Sequence, residues 1–210
     1  VALRQQATRG SVGYNRNRIQ DFLDSLDRGD RLRDLGKNIN FGGTVQTVVE
    51  IFRYNLSMCV MMQGPGGYDT HGGNIQQGPM QDSVFQQLLS LFQALEAEPD
   101  LVNGGNMLEH TCLMLTSEMT RTPMLNGGQG KDHWPVGAVL VCGAGVANRQ
   151  VGETGEGQVA MPLNLTTGAV SGQDLISMSS EMFAAGMLSL AGVDSYPFFQ
   201  LTPPLSALHY

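Results

Sequence analysis

Three short apolar runs constrain this chain more than any other feature. Residues 56–62 (LSMCVMM), 110–116 (HTCLMLT) and 136–142 (VGAVLVC) hold no Asp, Glu, Lys or Arg, and glycine-rich or polar turns separate them. An unbroken apolar run of strand length suits a strand covered on both faces, as in a parallel sheet. Helical stripes alternate with these runs. Thr44 opens a segment in which Val45, Val48, Val49 and Phe52 share one face. Residues 80–97 align Val84, Leu88, Leu91 and Leu95, with Phe85, Leu89 and Phe92 widening the stripe. A last helix is expected over 173–191, with Gly192 as its terminating cap. The alternation predicts an α/β fold, a three-layer domain with a mostly parallel sheet.

The net charge is −7, unevenly placed. Residues 1–40 hold 8 of the 12 basic residues and 5 of the 19 acidic ones, so the remainder is strongly acidic. An acidic body argues against a nucleic-acid partner, which needs clustered Lys and Arg. The division expected is a helical, Arg/Asp-rich arm over 1–42, with Tyr14, Ile19, Phe22, Leu23 and Leu26 near helical spacing, and an α/β domain over 43–210. Arg28, Asp30, Arg31, Arg33 and Asp34 read first as a solvated helix face. Cys59, Cys112 and Cys142 show no CxxC spacing, which removes zinc-thiolate and redox motifs. Residues 175–193 are nearly uncharged but contain Glu181 and many small residues, so a buried helix is expected there and no transmembrane segment. The chain opens at Val1 as if cut from something longer.

Ligands of open α/β sheets sit beyond the carboxyl ends of the strands, and polar residues collect there. Gly67-Tyr68-Asp69-Thr70-His71-Gly72-Gly73 follows the first run, Ser117-Glu118 and then Arg121 follow the second, and Lys131-Asp132-His133-Trp134 precedes the third. A carboxylate and an imidazole two residues apart on a glycine-flanked loop can face one ion, and that donor set suits zinc, manganese or iron more than calcium. The bland alternatives are a turn closed by Asp69 on its own backbone, a Glu118–Arg121 pair, and His133 packed beneath Trp134. Against them stands the convergence of two of the four histidines and three carboxylates on one edge. Gly143-Ala144-Gly145 begins a dinucleotide fingerprint, but Asn148 occupies the third glycine position.

GYDTHGGN, an Ala/Leu-rich helix, TSEMTRTPMLNGG and KDHWP together resemble an uncharacterised sulfatase-like bacterial family, domain of unknown function fifteen hundred and one, placed in the alkaline phosphatase superfamily. The likeness spans roughly residues 43–195. Where the family's middle block reads Ser-Glu-Phe-Gly-Arg, this chain has Ser117-Glu118-Met119-Thr120-Arg121. The resemblance implies metal ligands at Asp69, His71, Glu118 and His133, with Asp132 as a further candidate. It implies a divalent metal cofactor, an oxyanion-binding role for Arg121, and hydrolysis of phosphate or sulfate esters. It also implies an alkaline-phosphatase-like fold and a periplasmic or cell-surface location. The superfamily's nucleophile lies on an early strand and helix, and nothing in 1–41 reads that way. The chain therefore resembles the C-terminal half, apparently lacking the N-terminal part. Its partner is expected to be another polypeptide, either that N-terminal half or a subunit of a larger assembly. The alternative function is a non-catalytic structural or interaction subunit that keeps the fold, with the metal absent.

Overall fold

The structure, a computed structural model, describes residues 43–64 and 66–209, together with Gln20, Leu23, Asp24, Leu26 and Asp27. Those five are helical; the rest of the arm expected over 1–42, including Tyr14, Ile19 and Phe22, lies outside the described residues.

Helix α1 (Thr44–Arg53) and helix α2 (Gln77–Ala97) pack together. Their stripes face each other as their spacing predicts: Val48, Val49, Leu91 and Leu95 are buried with Met107, and Val45 and Phe52 pack against them. Removing this much apolar surface from water is what holds the pair. Arg53 also ties the last turn of α1 to the end of α2, reaching Glu98 at 2.8 Å and Glu50 at 3.3 Å.

Four short strands follow: β1 (Cys112–Leu115), β2 (Thr120–Arg121), β3 (His133–Trp134) and β4 (Leu140–Gly143). β1 pairs antiparallel with β4, Leu113 opposite Cys142, and β2 pairs antiparallel with β3, Arg121 opposite His133. The pairs are nested, so residues 112–143 form one interrupted two-stranded ribbon that turns at Asn126–Gly130, where the Asn126 amide donates to the Gly130 carbonyl at 2.8 Å.

A second apolar cluster holds the C-terminal part. Leu163, Leu205, Ala207 and Leu208 are buried, with Phe183 and Met187 of helix α3 (Ser180–Leu190) packed against them. Gly186 lets α3 lie directly on the chain at Leu205, whose carbonyl oxygen is 2.7 Å from where a Cβ would stand. Ser179 caps the start of α3 by accepting from the Met182 amide at 3.3 Å. At the other end Gly192 has φ 71°, its amide donates to Ser189, and the Val193 amide donates to Leu188. These are the two bonds of a Schellman cap, so Gly192 terminates the helix as its sequence position predicts. A single turn of helix, α4 (Tyr196–Phe199), precedes the C-terminal segment.

The predicted three-layer, mostly parallel, alkaline-phosphatase-like sheet is not what forms. The described residues contain two small two-stranded antiparallel sheets. Residues 56–62 form no strand: Val60 and Met62 lie against the helical cluster, while Met58 and Met61 are 90% and 97% exposed. The other two runs shorten to β1 and β4, neither of which holds a fully buried residue, and β1 is covered on one face only. The physical reason lies in the 24 residues between β1 and β4, which contain no helix. A parallel partner needs a crossover, usually helical, whereas a chain that doubles straight back pairs antiparallel. The last helix is also shorter than expected, because 173–179 is irregular and α3 begins at Ser180.

Candidate metal centre

The tip of the ribbon and the loop before α2 meet at one place. Arg121 and His133 are directly opposed across β2 and β3 and therefore share a face. Asp69 and His71 come from the loop leading into α2. One donor atom each from Asp69, His71 and His133 lies within 4.8 Å of the others, and the two imidazole rings are tilted with centroids 4.6 Å apart.

Backbone contacts station this loop. The Lys131 amide donates to the Thr70 carbonyl at 3.0 Å and the Asn74 amide to the Gln129 carbonyl at 2.8 Å. Thr70 is buried, and its hydroxyl accepts from the Gln77 side chain at 2.8 Å, which joins the loop to the first residue of α2. The Tyr68 hydroxyl donates to the Met80 carbonyl at 2.7 Å, and burial pushes its pKa up. Gly130 is the crossing point. A Cβ there would collide with the carbonyl groups of His71 and Thr70, so only glycine lets the two chains approach this closely.

Asn126 is a residue the sequence reading missed. Its amide nitrogen donates to the His71 carbonyl at 3.0 Å and the Asp132 carboxylate at 2.9 Å, and its oxygen accepts from the Gly128 and Gly130 amides. The signal was present: Asn followed by two glycines is turn chemistry in which the Asn side chain bonds to nearby backbone.

Electrostatically, Arg121 dominates. Its guanidinium donates to Asp69 Oδ1 at 2.7 Å and to the Lys131 carbonyl at 3.1 Å. Its Nη1 also lies 3.3 and 3.4 Å from the two ring nitrogens of His71. The same Asp69 oxygen is 2.5 Å from His71 Nδ1. The Arg121 hydrogen bond first, and His71 behind it, hold the Asp69 carboxyl below its ordinary range.

Of the expected ligands, Asp69, His71 and His133 are thus brought together. Glu118 is not in that donor group. Its carboxylate accepts from the Ser117 hydroxyl at 3.1 Å, and its pKa is lowered by its own backbone amide and Ser117, with smaller effects of Arg121 and His133. Asp132 neighbours His133 along the chain and so faces the other way, towards Asn126. Arg121 pairs with Asp69 in place of Glu118. Trp134 likewise does not cover His133; its indole donates to the Gln158 carbonyl at 3.1 Å. Thr120, where the family's block has glycine, keeps its hydroxyl 2.9 Å from the Trp134 carbonyl and so ties β2 to β3.

The sequence matches a protein family of unknown function (DUF1501) over residues 48–185. The chain belongs to this family. The match takes in the second half of α1, all of α2 and the ribbon, and the start of α3, so all of Asp69, His71, Arg121 and His133 fall inside the DUF1501 region. No curated protein matches the chain, and no solved structure does.

One carboxylate and two imidazoles form a donor set suited to zinc, manganese or iron. Two donors about 2.1 Å from one ion lie at most about 4.2 Å apart. The observed spread is within 4.8 Å, and all three side chains are exposed, so small side-chain rotations close the set. The residues fit such an ion.

Proposed function

We propose that Asp69, His71 and His133 hold one divalent transition-metal ion, and that this centre with Arg121 serves the hydrolysis of phosphate or sulfate esters. The convergence of the three donors beside a guanidinium carries the reading. The hydrolase part of this reading rests on the resemblance of the sequence blocks around those residues to sulfatase-like proteins. When bound, the ion supplies Lewis-acid polarisation of an ester oxygen and a lowered pKa for the attacking group. The chain's own residues supply the rest. Arg121 presents a planar fork that matches two oxygens of a tetrahedral anion. Its side chain is 13% exposed and its Nη1 is anchored on the Lys131 carbonyl, so the fork is stationed before substrate arrives. Asn126 and Gly130 keep the His71 loop against the ribbon. Thr70 is buried and hydrogen-bonded to Gln77, which removes the nearest hydroxyl in the sequence as nucleophile. The attacking group then comes from water or from a polypeptide docked beside the site.

A second reading, a non-catalytic subunit of a larger assembly, is favoured by the apolar surface. Met58, Met61, Ile75, Phe85 and Leu89 are all at least half exposed around α2. Among the described residues no helix is long and apolar enough to cross a membrane, so lipid contact through a helical span is not the explanation for that surface. A periplasmic or cell-surface location belongs to the first reading and rests on the resemblance. Elemental analysis together with assays on aryl phosphate and aryl sulfate separates the two. Stoichiometric metal and turnover, both lost in His71→Ala, are expected from the hydrolase. A chain with neither metal nor turnover leaves the subunit.

A further inference from the structure

The Asp69 Oδ1 atom is used twice, by His71 Nδ1 and by Arg121 Nη2. A metal ion draws on the same carboxylate and on a lone pair of His71, and the guanidinium already lies against both groups. Its Nη1 lies nearly equidistant from the two His71 ring nitrogens, across the ring and not on one lone pair. The two partners differ in freedom. Asp69 is 76% exposed and can swing, while the Arg121 side chain is 13% exposed and its Nη1 is anchored on the Lys131 carbonyl. Among the described residues Asp69 is the only carboxylate within ion-pair distance of Arg121. Among those residues the guanidinium therefore has one anionic partner, and a tetrahedral oxyanion offers it another with better geometry.

We propose that Arg121 is the built-in counter-cation of this centre: its guanidinium and the metal compete for Asp69, and an oxyanion that draws the guanidinium off Asp69 opens the site to the metal. The proposal rests on the metal-centre reading and adds the order of events to it. Metal alone must displace a charged partner from Asp69. Metal and anion together need not, because the anion satisfies Arg121 as Asp69 turns to the ion. Coupling of this kind is reciprocal, so the factor by which anion tightens metal equals the factor by which metal tightens anion.

The test is isothermal titration of Zn²⁺ into the chain and into Arg121→Gln, each with and without inorganic sulfate, with far-UV circular dichroism to check folding. Asp69 is largely exposed, which keeps the pair weak, so Arg121→Gln is expected to bind Zn²⁺ only roughly fivefold tighter. Saturating sulfate is expected to tighten Zn²⁺ binding to the native chain by a similar factor and to leave Arg121→Gln unchanged. Weaker or unaltered binding by Arg121→Gln overturns the proposal, because Arg121 then positions the ligands and does not compete with the ion. A sulfate effect that persists in Arg121→Gln also overturns it, since sulfate is then meeting the ion directly. If the variant does not fold, native-chain titration decides: no tightening by sulfate overturns the proposal. Absence of Zn²⁺ binding in both folded chains defeats the metal centre itself, a different result from binding without coupling.

Discussion

Around Leu95 five apolar side chains from α1, α2 and the Met107 turn exclude water, whereas the stretch from Leu108 to Val146, which includes the ribbon, buries a single residue, and that residue is Gly130. The helical end is stabilised by area removed from water. The site end is held by backbone hydrogen bonds, by Asn126, and by a close chain crossing that tolerates no side chain. Hydrophobic packing is non-directional and stabilises any arrangement that hides enough surface. Hydrogen bonds and a steric crossing specify geometry while contributing little net free energy. The molecule thus separates stability from precision at the site, and substitutions in the two regions should fail in different ways.

The largest effect is expected from Leu95→Ala, since Leu95 is 1% exposed. Truncating a fully buried leucine costs about 2–5 kcal/mol. Denaturant unfolding should show that loss, with metal affinity of the surviving folded fraction unchanged. If Leu95→Ala instead abolished metal binding at unaltered stability, the separation of the two regions would be wrong.

Gly130→Ala is the converse. The added methyl group meets the His71 and Thr70 carbonyls, so the loop and the ribbon must part. Overpacking at a tight contact costs roughly 1–3 kcal/mol. Here the cost can be relieved by local opening, so the midpoint should move less than for Leu95→Ala while Zn²⁺ binding is lost. Retained Zn²⁺ affinity would show that the crossing does not set the ligand geometry.

The smallest effect is expected on acidification. The Asp69 carboxyl is held low by Arg121 first and His71 second. A group lowered in the folded state contributes fully above its unfolded pKa, near about 4, and that contribution fades as pH falls through the lower native value. The Thr70–Lys131 contact should therefore exchange its amide hydrogen faster, relative to intrinsic rates, in that acid window. Amides of α2 around Leu95 should not follow it there, and Asp69→Asn should remove the effect at Lys131. Parallel changes in both regions would merge them into one unit.

Much of the site was legible because its residues stand in short blocks. The Asp69–His71 spacing on a glycine-flanked loop and His133 beside a predicted strand are local patterns, and the structure brings those three together. Glu118 and Asp132 were read from the same blocks but are not in that three-donor group. Which face a side chain takes in a two-residue strand depends on register, and Arg121↔His133 pairing turned Asp132 away. At Asn126 the Asn-Gly-Gly turn signals the local bonds to Gly128 and Gly130, but not the contact with the His71 carbonyl 55 residues away in the chain.

The amino-acid order by itself determined α1, α2, the Schellman stop at Gly192 and the extended character of β1 and β4. Each depends on spacing within one or two turns or on one residue's backbone preference. Only the tertiary structure decided which way the apolar runs pair. A 24-residue interval without a helical stripe is long enough for a crossover and also for a doubled-back ribbon. Residues 56–62 show the same limit: their apolar composition reads as buried on both faces, but with no strand beside them none is fully buried, and Met58 and Met61 stand almost fully exposed. Strand direction and partner are long-range choices, settled by what lies alongside once the chain is folded, and the ribbon's return at Asn126–Gly130 is what carries His133 to Asp69 and His71.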